Sequence, residues 1–178
     1  LTYLPEDDTL QNTNDLADDG TLQSGVVSPN PRFILDANKH TVSDQMSGLI
    51  WKQTADSGSQ CGITHGVTTW DQALQSASFC TDNDGWRLPN IRELSSLIDF
   101  GQHHPALPDN HPFILPEEAE YGYWSSTTNS LTAGNETEND GQAWVVFLHN
   151  GAVEVQNKGG AQPGHFYTWL VRNPAPSL

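Results

Sequence analysis

Trp86-Arg87-Leu88-Pro89-Asn90-Ile91-Arg92-Glu93-Leu94 is the most distinctive string in the chain. Asn90 and Glu93 stand three residues apart, the spacing of a capping box with Asn in place of the usual Ser or Thr, so a helix begins at Asn90. Ile91, Leu94 and Ile98 share one face of it, Leu97 flanks that face, and Gly101 is expected to stop the helix. Trp86 and Leu88 lead into this helix. Arg87 is expected to pair internally with a carboxylate such as Glu93 or Asp99. A ligand platform is the functional alternative, but a Trp–Arg cluster before a capped helix more often packs than binds.

Outward from this string, a first helix is capped by Thr68 or Thr69, carries Trp70, Ala73, Leu74 and Ala77 on one face, and ends near Cys80. Before it come three short β-like runs, Phe33-Ile34-Leu35, Thr41-Val42 and Leu49-Ile50-Trp51, with Asn38 and Gly48 at turn positions. Residues 1–31 are acidic and lack a hydrophobic period. They read as an arm packed on or leading into one domain that spans residues 32–178. On the other side, residues 101–120 are a His- and Pro-rich loop, and Tyr121–Ser126 is a strand. Residues 127–142 form an acidic loop. The run from Ala143 to His149 is apolar on both faces, hence central. Asn150-Gly151 signals a two-residue hairpin into Ala152–Gln156, and a Gly-rich link at 159–164 leads to a last strand, Tyr167–Arg172. No internal repeat is present. The order predicts an α+β fold, two helices against a twisted antiparallel sheet with long loops.

The 178 residues suit one domain. Apolar residues make up only 35% of them, a shortfall that six tryptophans partly offset. Seven Lys and Arg against 22 Asp and Glu give a net charge of −15. Such a chain repels phosphate backbones and anionic lipid, which argues against nucleic acid and heparin-like partners. A cation, a neutral glycan or a basic protein patch remains. No stretch approaches the roughly 20 apolar residues of a membrane span. The chain starts at Leu1 without a methionine, which reads as a processed or trimmed product from which a leader could have been removed.

One family is similar to this chain in an ordered series of strings. These are Ser28-Pro29-Asn30-Pro31-Arg32-Phe33, Thr41-Val42-Ser43-Asp44, Gly48-Leu49-Ile50-Trp51, Thr69-Trp70 with Ala73-Leu74, and Trp86-Arg87-Leu88-Pro89-Asn90. Glu93-Leu94, Tyr123-Trp124-Ser125-Ser126, Ala143-Trp144 and Val171-Arg172 complete the series. Together they resemble the C-terminal domain of the Legionella collagen-like protein family. The resemblance implies a C-type-lectin-like fold, with Trp51, Trp70, Trp86, Arg87, Glu93, Trp124, Trp144 and Arg172 as structural residues. It also implies export to the cell surface or periplasm, or secretion. Lectin-like folds tie off the chain as a loop, so Phe33–Leu35 and Tyr167–Arg172 are expected in neighbouring strands. No activity comes with the family. The collagen repeat of its name-giving adhesin is missing, and the charge argues against sulfated glycans.

The leading functional expectation is therefore an extracellular binding module, not an enzyme, that recognises a glycan or protein through loops around the late strands. Those loops are residues 127–142, 150–152 and 159–166, with Asn129, Asn135, Glu136, Asp140, Asn150 and His165 as candidate ligand-binding residues. One rival is a metal- or copper-dependent oxidase with a degenerate site, of the formylglycine-generating type, using His103, His104 or His111. Such oxidases use a cysteine pair near the C-terminal part, whereas Cys61 and Cys80 lie in the first half. Ser125 and Ser126 lack a nucleophile-elbow setting. The third possibility is a structural surface-assembly domain. No cofactor is expected, Ca²⁺ at Asp82, Asn83, Asp84 and Gly85 being the one exception, but the full Ca²⁺-loop pattern is absent. The run Asn135, Glu136, Glu138, Asn139, Asp140 reads first as a solvated face. Cys80 continues the row Ala73, Ala77, and the loop holding Cys61 can reach it. A Cys61–Cys80 disulfide closing about 20 residues is expected to contribute roughly 3 kcal/mol in an oxidising compartment.

Overall fold

A computed structural model describes residues 28–55, 66–80, 85–117, 122–130, 141–159 and 165–175. Three short strands open it: β1 (Phe33–Asp36), β2 (Thr41–Asp44) and β3 (Ile50–Lys52). They form an antiparallel meander, with Val42 opposite both Leu35 and Trp51. Gly48 takes φ +73° in the β2–β3 turn, a conformation that favours glycine. The last strand, β7 (Val171–Arg172), pairs with β3 through Trp51 opposite Val171. The expectation that β1 and the last strand are neighbours is thus corrected. They occupy opposite edges of one four-stranded sheet, β1-β2-β3-β7: the meander leaves one edge of β1 and one of β3 open, and β7 takes that of β3.

The expected single sheet is also two. Strands β4 (Gly122–Thr128), β5 (Gln142–Phe147) and β6 (Ala152–Asn157) form a second antiparallel sheet, with β5 central as its two-sided apolar pattern requires. Residues 166–171 stitch the sheets together: Phe166 bridges Thr68, Tyr167 bridges Tyr123, and Val171 bridges Arg87.

The β5–β6 connection takes four residues rather than two. Phe147 pairs with Ala152, and the amides of Ala106 and His104 bind the carbonyls of Leu148 and His149. Those carbonyls are lost to the ladder, so the turn widens. Gly151, at φ +75°, and the Asn150 side chain, which accepts from the Ala152 amide, close it.

Helix α1 (Trp70–Ser76) starts with a reciprocal Thr69–Gln72 capping box and continues as a 3₁₀ turn, Ala77–Phe79. It buries Ala73 and Ser76; Leu74, expected on that face, is exposed. Small residues on the packed side let the helix approach Trp124, whose indole donates to Thr68 O. Helix α2 (Ile91–Ser95) has the expected capping box, Asn90 Oδ1 accepting from Glu93 N and Glu93 Oε2 accepting from Asn90 N. It ends well before Gly101. The Arg32 guanidinium donates to the Ser96 carbonyl at 2.7 Å and satisfies the helix end there.

The main core lies between the inner face of the four-stranded sheet, α2 and β5. Trp51, Leu94, Tyr123, Val146 and Trp169 meet in it. Trp169, which the sequence reading did not single out, is fully buried 5.3 Å from Trp51 and donates to Lys52 O. Ala73, Leu88, Trp124 and Val145 form a second cluster between α1 and the other face of β5.

Candidate functional site

Trp86, Arg87 and Leu88 all make contacts within the domain. Trp86 packs on Leu170, with Lys52 Nζ 4.2 Å and Arg172 Cζ 5.2 Å from its ring centroid. Arg87 forms a two-pronged pair with Glu93 at 2.7 Å per prong, and Leu88 fills the second cluster. Burial alone would raise the Glu93 carboxyl. Hydrogen bonds from Arg87 and from the Asn90 amide outweigh it and hold the group below its ordinary value.

The late-loop residues do not converge among the described positions. Asn129 is buried and donates to the Gln142 side chain, which in turn donates to Asn157, an amide ladder across one end of the second sheet. Beside it, Lys158 donates to Thr128 and lies 3.9 Å over Trp70. Asn150 sits at the opposite end of β5, holding its own turn. His165 is exposed next to Phe166, which packs on Phe147 and Trp124. Trp144 is half-buried on β5. Asn135, Glu136, Asp140, Cys61 and the Asp82–Asp84 turn lie outside the described residues. No described cysteine is free.

The histidines divide. His103, His104 and His149 form a chain of ring contacts, with centroids 5.6 and 6.0 Å apart. His111 stacks instead on Phe113 at 5.8 Å, where burial pushes its imidazole below the ordinary value. No group of three or more His, Cys, Asp or Glu able to hold a metal is present among the described residues. None of the helices found among them is long and apolar enough to cross a membrane.

A groove of about 510 Å³ opens elsewhere, among three segments: residues 28–33 ahead of and into β1, residues 98–100 after α2, and residues 108–110. Phe100 lines it and is 89% exposed. The local cause is a turn. Asp99 N donates to Ala106 O, Gln102 N to Asp99 O, and Gly101 N to Asp99 Oδ1, which leaves Phe100 at the corner. Asp109 faces the same groove and accepts from Gln102 through Oδ2. Arg32 is the basic residue of the groove, and it is spent internally. Its guanidinium grips Asp44 with two bonds of 3.0 Å, takes Ser96 O, and lies 4.7 Å over Phe33. Asp44 also accepts from Met46 N and Ser47 Oγ, and these donors with Arg32 overcome its burial and hold its carboxyl below the ordinary value. Sequence reasoning missed this site because it ran the second helix to Gly101, which hid Phe100 on a helical turn.

Comparison with curated proteins and with solved structures found no match. A family model for the Lcl C-terminal domain matches residues 40–172, three quarters of the chain, and takes in the Phe100 and Asp109 walls of the groove while the wall at 28–33 precedes it. With its tryptophan core, its Arg87–Glu93 clasp and its capped α2 all inside that match, the chain belongs to the Lcl C-terminal domain family.

Proposed function

We propose that this domain is an exported bacterial binding module, resident at the cell surface or in the periplasm, that binds a glycan or protein segment in the Phe100 groove and catalyses no reaction. The observation that carries the reading is Phe100 itself. An aromatic ring left in water forgoes roughly 1.5–3 kcal/mol of burial, and among the described residues this one stands 89% exposed. Exposed aromatic anchors beside a pre-formed concavity are where binding energy concentrates. A C-type-lectin-like scaffold fits as well. The chain's early and late strands share one sheet.

Glycan arrays and capture of purified surface proteins, run with wild type and with Phe100→Ala, test the proposal. The expected result is a ligand that the wild type holds and Phe100→Ala loses, with an unchanged melting temperature, because the ring supports no packing. Binding that survives Phe100→Ala but falls with Asn150→Ala or His165→Ala would move the site to the late loops. Failure to bind any ligand of either kind would count against a binding module.

A further inference from the structure

Resting on that reading, we infer that the groove recognises a basic protein segment, with a lysine or arginine side chain laid across Phe100 between the carboxylates of Asp99 and Asp109. The groove presents acceptors and no uncommitted cation. Asp99 uses Oδ1 for the Gly101 amide and Asp109 uses Oδ2 for Gln102, so each keeps a second carboxylate oxygen for a ligand. Arg32, the cation at the groove, is locked to Asp44 and Ser96 and adds no net attraction for anions. The same groove is lined by the Phe100 ring, which is 89% exposed. A ring face binds cations through its quadrupole, and arginine stacks on it while forking to a carboxylate. Pro29, Pro31 and Pro108 give the groove apolar walls for the aliphatic stem of such a side chain. The net charge of −15 draws a basic partner in from a distance. An anionic ligand would meet two carboxylates, with the neutral donors of Ser28, Asn30 and Asn110 and an Arg32 already paired with Asp44 to set against them. A neutral sugar could stack on Phe100 and donate hydroxyls to the carboxylates, yet it would bring no charge to complement them.

The test uses the whole chain and three probes: a blocked hexa-arginine peptide, its hexa-glutamate counterpart and the neutral sugar maltohexaose. Binding is followed calorimetrically for wild type, Phe100→Ala, Asp99→Asn/Asp109→Asn, and a charge-matched control, Glu154→Gln, on exposed β6 outside the groove. Hexa-arginine should bind, hexa-glutamate should not, and affinity should fall as salt rises from about 50 to about 500 mM. Phe100→Ala and the double variant should each weaken binding about ten-fold, and Glu154→Gln should leave it unchanged. Three results overturn the inference: peptide binding as sensitive to Glu154→Gln as to the groove variants, peptide binding indifferent to Phe100→Ala, or no peptide binding at low salt. If maltohexaose binds instead, independently of salt and dependent on Phe100, the basic-segment inference fails while the binding module stands.

Discussion

Replacing Arg32 with alanine strands a carboxylate that has no access to water. The Asp44 side chain is 0% exposed and that of Arg32 11%, so the pair is buried. Removing one partner of such a pair costs about 3–5 kcal/mol because the other charge stays behind. Two donors remain, Met46 N and Ser47 Oγ, which moves the cost toward the lower end. Loss of the Ser96 carbonyl cap adds about 0.5–1 kcal/mol. The expected total for Arg32→Ala is about 3.5–4 kcal/mol at pH 7, measured by urea unfolding with an unchanged slope. The pH dependence has a definite sign. In the wild type the Asp44 carboxyl is held below its ordinary 3.8, so its contribution is fully present above that value and is lost as pH falls through the lower folded value. Without Arg32 that downward hold is reduced to what Met46 N and Ser47 Oγ supply. The stability gap between variant and wild type should therefore shrink once the pH falls below the ordinary carboxylate range. Adding Asp44→Asn to Arg32→Ala removes the stranded charge and should recover about 1 kcal/mol or more. A cost under about 1 kcal/mol for Arg32→Ala, or additive losses in the double variant, would refute the account.

Gly122→Ala should lower stability by about 1–3 kcal/mol in the same assay, since a methyl there collides with Val145 and crowds Phe147 and Phe166 at 3.1 and 3.2 Å in a packed core. Glu93→Gln breaks the clasp on Arg87, whose side chain is 39% exposed, so about 1 kcal/mol is expected at pH 7. Because Glu93 titrates below its ordinary 4.5, the variant's stability should also fall less steeply than the wild type's as pH drops from that value, which acid titration by circular dichroism will show. Thiol titration of the unreduced, unfolded protein should find no free thiol if Cys61 and Cys80 are bridged; two per chain would remove the bridge and weaken the case for export.

Much of the frame was readable because it depends on short-range rules. The Asn90–Glu93 spacing located the start of α2, and the same Glu93 was a foreseeable partner for Arg87 six residues before it. Gly48 marked a turn that calls for positive φ. The apolar run on both faces placed β5 at the centre of its sheet. What failed was decided by distant segments. The end of α2 is set by Arg32, 64 residues earlier in the chain, which no local pattern reveals. The width of the β5–β6 turn is set by the amides of His104 and Ala106. The meander offers β7 an open edge at β1 and another at β3, and β7 has only two residues of pattern to argue from, so its pairing with β3 could not be read locally.

The groove was hidden for the same reason, and its chemistry shows how fold and site are tied together. Each of its three segments reads as an ordinary loop: prolines before a strand, a turn after a helix, and Pro108-Asp109-Asn110. Only their assembly makes an acidic cleft with an aromatic lip, and Arg32 performs that assembly. By binding Asp44 it fixes β1 against β2, and by taking Ser96 O it ends α2 early enough for the Asp99–Gln102 turn to form and put Phe100 in water. The same bonds remove the guanidinium from any ligand's reach, so one core contact sets both the shape of the groove and the sign of its charge. A sequence search for ligand residues looks for exposed polar clusters, and here the contact that commits Arg32, and with it the charge the groove presents, runs to a buried aspartate on β2, Asp44.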